Sequence, residues 1–66
     1  MVDGAKIKSL RESLNVTQKE LGEEIGITQT AIHYIESGLK EPKILTLARI
    51  AKRLGCTVDE LIIING

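Results

Sequence analysis

Apolar residues recur at helical spacing along nearly the whole chain, and the pattern breaks at regular places. Ile7, Leu10 and Leu14 share one face of a helix predicted from about Asp3 to Leu14. A second helix is expected over Thr17 to Ile25 and a third over Thr28 to Ser37. A fourth runs from Pro42 or Lys43 to Leu54, with Leu47, Ile50, Ala51 and Leu54 inward. A short fifth covers about Thr57 to Ile62. Strand-type alternation is missing except in the last few residues. Gly26, Gly38 and Gly55 each follow a periodic stretch, as a glycine past a helix C-terminus does. Pro42 suits a first helical turn, where its missing N–H is no loss.

Threonines mark the starts. Thr17, Thr28 and Thr57 stand where a hydroxyl can cap a helix. Thr17 and Thr57 are each followed three residues later by glutamate (Glu20, Glu60), the reciprocal arrangement that satisfies two orphan N–H groups; Thr28 has Ala31 there. Each threonine also lies between an apolar pair: Val16 with Leu21, Ile27 with Ile32, Cys56 with Leu61. That spacing is the hydrophobic staple, repeated three times.

The chain of 66 residues is one domain, and so short a domain needs a simple, well-patterned core. Apolar residues at 42% and charged residues at 27% suit a soluble globular domain. Tyr34 is the sole aromatic residue, so the core must be aliphatic, and this argues against a base-stacking surface for single strands or RNA. Cys56 is the only cysteine, which excludes an internal disulfide and a cysteine-based zinc site and points to a reduced, cytoplasmic setting. No apolar run is long enough to span a bilayer.

Formal net charge is zero, where a nucleic-acid binder is ordinarily basic. The charge is segregated, however. Residues 39–55 carry five cations (Lys40, Lys43, Arg49, Lys52, Arg53) against Glu41; residues 17–38 carry Lys19 against Glu20, Glu23, Glu24 and Glu36. A charged patch can therefore exist on a neutral molecule.

The second and third helices are joined by Gly26 and Ile27 with almost no loop, so they must cross steeply. Gly22 is placed for the close approach such a crossing needs, and Leu21, Ile25, Ile27, Ile32 and Ile35 fill the shared core. Thr17-Gln18-Lys19-Glu20-Leu21-Gly22, then Ile25-Gly26-Ile27-Thr28-Gln29-Thr30, Ile32, Ile35-Glu36 and Gly38 resemble the helix-turn-helix of phage repressor and Cro proteins, whose wider bacterial set is called Xre-like. Leu10-Arg11-Glu12 resembles that family's first helix. Pro42, Leu47, Ile50-Ala51, Leu54-Gly55 and Asp59-Glu60-Leu61 resemble its fourth and fifth. The resemblance covers residues 5–62, with the motif at 17–37. It implies an all-α, compact five-helix bundle of the lambda repressor-like kind, acting as a DNA-binding transcriptional regulator, a repressor by expectation.

At ~100° per residue, Ala31, Ile32 and Ile35 cluster on one side of the third helix. Gln29, Thr30, His33 and Ser37 cluster on the other, with Tyr34 at the edge. In this fold type that helix enters the major groove of double-stranded DNA. Glutamine can pair with adenine, and threonine can meet thymine. The resemblance thus implies base-reading roles for Gln29, Thr30, His33 and Tyr34. It implies phosphate contacts from Gln18 and from Lys40 and Lys43; Lys19 is a further candidate, and Thr28 reaches base or phosphate. Glu20, Glu23 and Glu24 are expected to face away from DNA. Arg11 and Glu36 are expected to form a partly buried structural salt bridge.

Two residues and one charge group have plainer readings beside these. Tyr34 can pack against its neighbours instead of DNA, and His33 can be an ordinary exposed helix residue. The cations from Lys40 to Arg53 can be a solvated face. The tail, Leu61 to Ile64, has more apolar residues than a small core absorbs. Either it completes the core or Ile62, Ile63 and Ile64, within a segment at 58–66, form a two-fold homodimer contact. No cofactor, metal, membrane or small-molecule ligand is expected, because the chain has no cluster of acids, bases, nucleophiles or ligands. A protein-interaction module of the same fold is the rival reading, favoured by the zero net charge.

Overall fold

A computed structural model describes residues 1–64. Four α-helices follow in order: α1 (Gly4–Ser13), α2 (Gln18–Ile25), α3 (Gln29–Ser37) and α4 (Ile44–Leu54). A 3-10 turn at Asp59–Leu61 follows α4. The all-helical fold agrees with the sequence pattern, but the expected fifth α-helix is only this single turn.

The helix starts are set by the predicted side chains. Thr17 Oγ1 accepts the Glu20 N–H at 3.0 Å, and Glu20 Oε1 accepts the Thr17 N–H at 3.1 Å. Thr28 Oγ1 accepts the Ala31 N–H at 3.0 Å, and Thr57 Oγ1 accepts the Glu60 N–H at 3.2 Å. Asp3 caps α1 by accepting the Lys6 N–H at 3.0 Å. Lys43 precedes α4 without a side-chain cap.

The core is aliphatic. Ile7, Leu21, Ile32, Ile50 and Leu61 are wholly buried, and each such side chain contributes about 1.5–3 kcal/mol relative to exposure. Val16, Ile25, Ile35, Leu47, Ala51 and Leu54 complete it, with Val2, Leu10, Ile27, Cys56, Val58 and Ile62 packed at its edge.

Leu14 departs from the expected inward face of α1, being 46% exposed. The helix ends at Ser13, and Asn15 takes φ 58°, a left-handed conformation that asparagine tolerates better than most residues. The turn swings Leu14 outward and delivers Val16 to the core instead. The inward position one turn earlier is held by Arg11, which is buried.

The fifth helix is cut short by competition from the N-terminus. Val2 and Ile62 form an isolated antiparallel bridge. The Asp3 N–H donates to the Leu61 carbonyl at 2.7 Å, and the Ile63 N–H to the Met1 carbonyl at 2.8 Å. Ile62 is accordingly extended, with φ −116° and ψ 132°. The three β-branched isoleucines, Ile62 to Ile64, suit an extended backbone better than a helix.

Candidate nucleic-acid interface

The α2–α3 crossing depends on Gly22. A Cβ there would stand 2.6 Å from the Ile27 carbonyl oxygen and 3.2 Å from Thr28. No side chain fits, so the backbone of the turn lies directly on α2. Gly26, with φ 84°, ends α2 in the left-handed region and lets the chain turn into α3 within three residues, Gly26 to Thr28.

This turn fixes which side of α3 faces out. Ile32, Ile35 and Glu36 point inward, and Ala31 is half-buried. Gln29, Thr30, His33 and Ser37 are exposed together on the opposite side. Tyr34 is 43% exposed, and its ring lies 5.9 Å from that of His33 at 49°. The four candidate base-reading residues are therefore gathered on one open helix face.

The candidate phosphate contacts lie at the surface. Lys19, Thr28, Lys40 and Lys43 are exposed. Thr28 uses its hydroxyl oxygen as a cap acceptor, which leaves its O–H free to donate. Lys40 and Lys43 border a cleft of about 250 Å³ between α3 and the loop into α4, which Ile27, Ala31, Ile35, Glu41, Pro42 and Thr46 also line. Glu41, the acid among these cations, accepts the Val2 N–H on both carboxylate oxygens, at 3.1 and 3.3 Å. Sequence reasoning missed this tie; nothing local signals a contact 39 residues apart.

Gln18 is half-buried, and its Nε2 donates to Glu36 Oε1 at 3.0 Å. It shares a shallow concavity of about 80 Å³ with Lys8, His33, Glu36 and Ser37. Lys8 is a cation beside the α3 face that the sequence pattern did not single out.

Beneath this lies the Arg11–Glu36 ion pair. Arg11 Nε donates to Glu36 Oε2 at 2.6 Å and Nη2 to Oε1 at 3.0 Å, while Nη1 donates to the Val16 carbonyl at 2.8 Å. The hydrogen bond to Glu36 raises the Arg11 pKa further above its ordinary value, against the opposing effect of burial. Two-pronged geometry of this kind is the strong form of the interaction.

Two of the acids lie apart from α3. Glu23 and Glu24 line a groove of about 640 Å³ with Ile25, Gly26 and the α4 cations Arg49, Lys52 and Arg53. Glu24 pairs there with Arg53. The caps hold Glu20 at the start of α2, and its hydrogen bonds from Thr17 lower its pKa. Burial pushes the pKa of the half-buried Cys56 thiol up.

In the tail, Ile62 packs against the core, whereas Ile63 is 39% and Ile64 86% exposed. The rest of the expected dimer segment, residues 65–66, lies outside the described residues. Leu39, Ile44 and Leu45 are also exposed apolar side chains, which the inward pattern of α4 did not anticipate. No described helix is long and apolar enough to cross a membrane.

A bundle with two helices joined by a short turn, in backbone contact at Gly22, and one open polar face defines a helix-turn-helix domain. The family profile described as Helix-turn-helix matches residues 7–61. The chain belongs to this family, in its Xre-like set. It is similar to the HTH-type transcriptional activator BcrR of Enterococcus faecalis, 39% identical over 57 residues, covering 86% of this chain and 28% of that protein. It thus spans under a third of that relative's length. Among solved structures it is similar to the P22 c2 repressor in complex with a synthetic operator, at TM-score 0.89 and 31% identity over 94% of both chains. The regulator SinR in complex with DNA has TM-score 0.78 and 28% identity, covering 85% of this chain and 90% of that one.

Proposed function

We propose that this chain binds double-stranded DNA in a sequence-specific way as a homodimer and represses transcription from a pseudo-palindromic operator. The observation that carries this reading is the exposed polar face of α3, held out from the bundle by the Gly22 contact. Gln29, Thr30, His33 and Tyr34 read base edges in the major groove. Gln18, Lys19, Thr28, Lys40 and Lys43 hold the backbone, with the uncapped start of α4 adding N–H groups.

The P22 c2 repressor, solved on an operator, supports the DNA-bound arrangement by its likeness over nearly the full chain. The tie between Glu41 and Val2 fixes the position of the one acid among the loop cations but leaves its charge in place. Dimerisation supplies affinity that a neutral monomer lacks, because binding strength grows with the number of phosphates neutralised. The exposed Ile63 and Ile64 are its apolar contacts in this reading.

Selection of bound sequences from a random duplex pool tests the proposal. Two inverted half-sites about one helical turn, ~34 Å, apart are expected. Failure to enrich any sequence, or binding insensitive to salt, overturns it. A second reading, a protein-interaction module, is favoured by the zero net charge, and the same outcome would support that reading instead.

A further inference from the structure

We propose that Glu36 is a positioning residue for the DNA-backbone contact of Gln18, a role beyond its salt bridge to Arg11. The inference rests on the reading of Gln18 as a phosphate contact. Glu36 is buried, and paired with Arg11 it is an ionised carboxylate that can only accept hydrogen bonds. Gln18 Nε2 meets its Oε1 at 3.0 Å. The carbonyl end of the Gln18 amide would be repelled there, so Glu36 dictates which end of the amide turns inward. Oε1 also accepts from Arg11 Nη2, so the chain Arg11–Glu36–Gln18 is fixed from the core outward. One Nε2 hydrogen is held by Glu36. The other has no partner among the described residues, and Gln18 lines the concavity shared with Lys8, His33 and Ser37. A donor so restrained loses little rotamer freedom when a phosphate oxygen arrives.

Two measurements test this. In the 15N-labelled full chain without DNA, one hydrogen of the Gln18 side-chain amide is expected downfield and protected from exchange. On adding a selected duplex, the other hydrogen is expected to shift. An unprotected, freely rotating amide overturns the proposal. The second measurement is a cycle of duplex affinities for Gln18→Ala, Glu36→Gln and the double variant, with folding checked by circular dichroism. A glutamine at 36 donates as well as accepts and no longer dictates the Gln18 orientation. Each single change is expected to weaken binding about tenfold, and the double change no further. Additive losses, or unchanged affinity in folded Glu36→Gln, overturn the proposal while leaving the DNA-binding reading intact. Binding of no duplex by the unaltered chain sinks both. If Glu36→Gln does not fold, the amide spectrum decides alone.

Discussion

A Cβ on Gly22 would lie 2.6 Å from the carbonyl oxygen of Ile27, so the turn between the two motif helices rests on the bare backbone of α2. Alanine is the better helix former by about 1 kcal/mol. Here the steric conflict is with backbone, which cannot rotate aside. Gly22→Ala is expected to lower stability by about 1–3 kcal/mol despite its propensity gain. Urea titration followed by circular dichroism measures it. A stabilised variant would show that the crossing relaxes freely.

The Arg11–Glu36 pair has a different test. Arg11→Met leaves Glu36 buried with only the Gln18 donor, and a loss of about 3–5 kcal/mol is expected. That is a large share of the about 5–15 kcal/mol holding a typical domain together. Arg11→Met with Glu36→Leu is expected to recover most of it, because the unpaired charge is gone. Equal melting temperatures for the single and double variants would refute this account.

Base reading by α3 predicts a local defect. Gln29→Ala is expected to relax preference at one base pair per half-site by about 1–3 kcal/mol, with unchanged melting temperature. Competition between duplexes differing at single positions measures this. A uniform loss across all sequences would mean that Gln29 touches only the backbone.

Lys43→Ala is expected to act in the opposite manner. Its loss should weaken all duplexes alike and reduce the slope of log affinity against log salt by about one. An unchanged slope would place Lys43 on a face the DNA does not touch.

The cap on α2 predicts an acid-side weakness. Hydrogen bonds from Thr17 hold the Glu20 pKa below its ordinary value. Its contribution is therefore complete above the ordinary carboxylate range, about 4.3, and is lost as pH falls through the depressed folded value. Thr17→Ala and Glu20→Gln should each flatten the acid limb of a melting-temperature profile. An unaltered limb in both variants would assign the acid sensitivity elsewhere.

Much of this was legible because the signals are local. A hydroxyl three residues before an N–H, or a glycine after an apolar stripe, is a short-range constraint: Thr17 and Thr28 cap α2 and α3 where the spacing puts them, while Thr57 makes the one-way bond to the Glu60 N–H ahead of a 3-10 turn. The α3 face was legible for the same reason: periodicity alone separates Ile32 and Ile35 from Gln29, Thr30 and His33. What escaped was set by distant partners. Leu14 belongs to the periodic stripe of α1, yet the left-handed Asn15 turns it out. For Leu61 to Ile64 the apolar pattern allows either core or dimer contact, and pairing with residues 1–3 is what draws Ile62 into an extended conformation against the core. The tie of Glu41 to Val2 spans 39 residues and leaves no trace in spacing. The pairing of Arg11 with Glu36 was expected only from family resemblance, since charges 25 residues apart have no periodic relation.

The aliphatic interior has one practical consequence. Tyr34 is the chain's single aromatic side chain, and it sits in the open beside His33 rather than in the core. Intrinsic tyrosine fluorescence is therefore a one-site probe of the α3 face: a docked duplex should quench it, while loss of the buried isoleucines and leucines should leave its emission nearly unmoved.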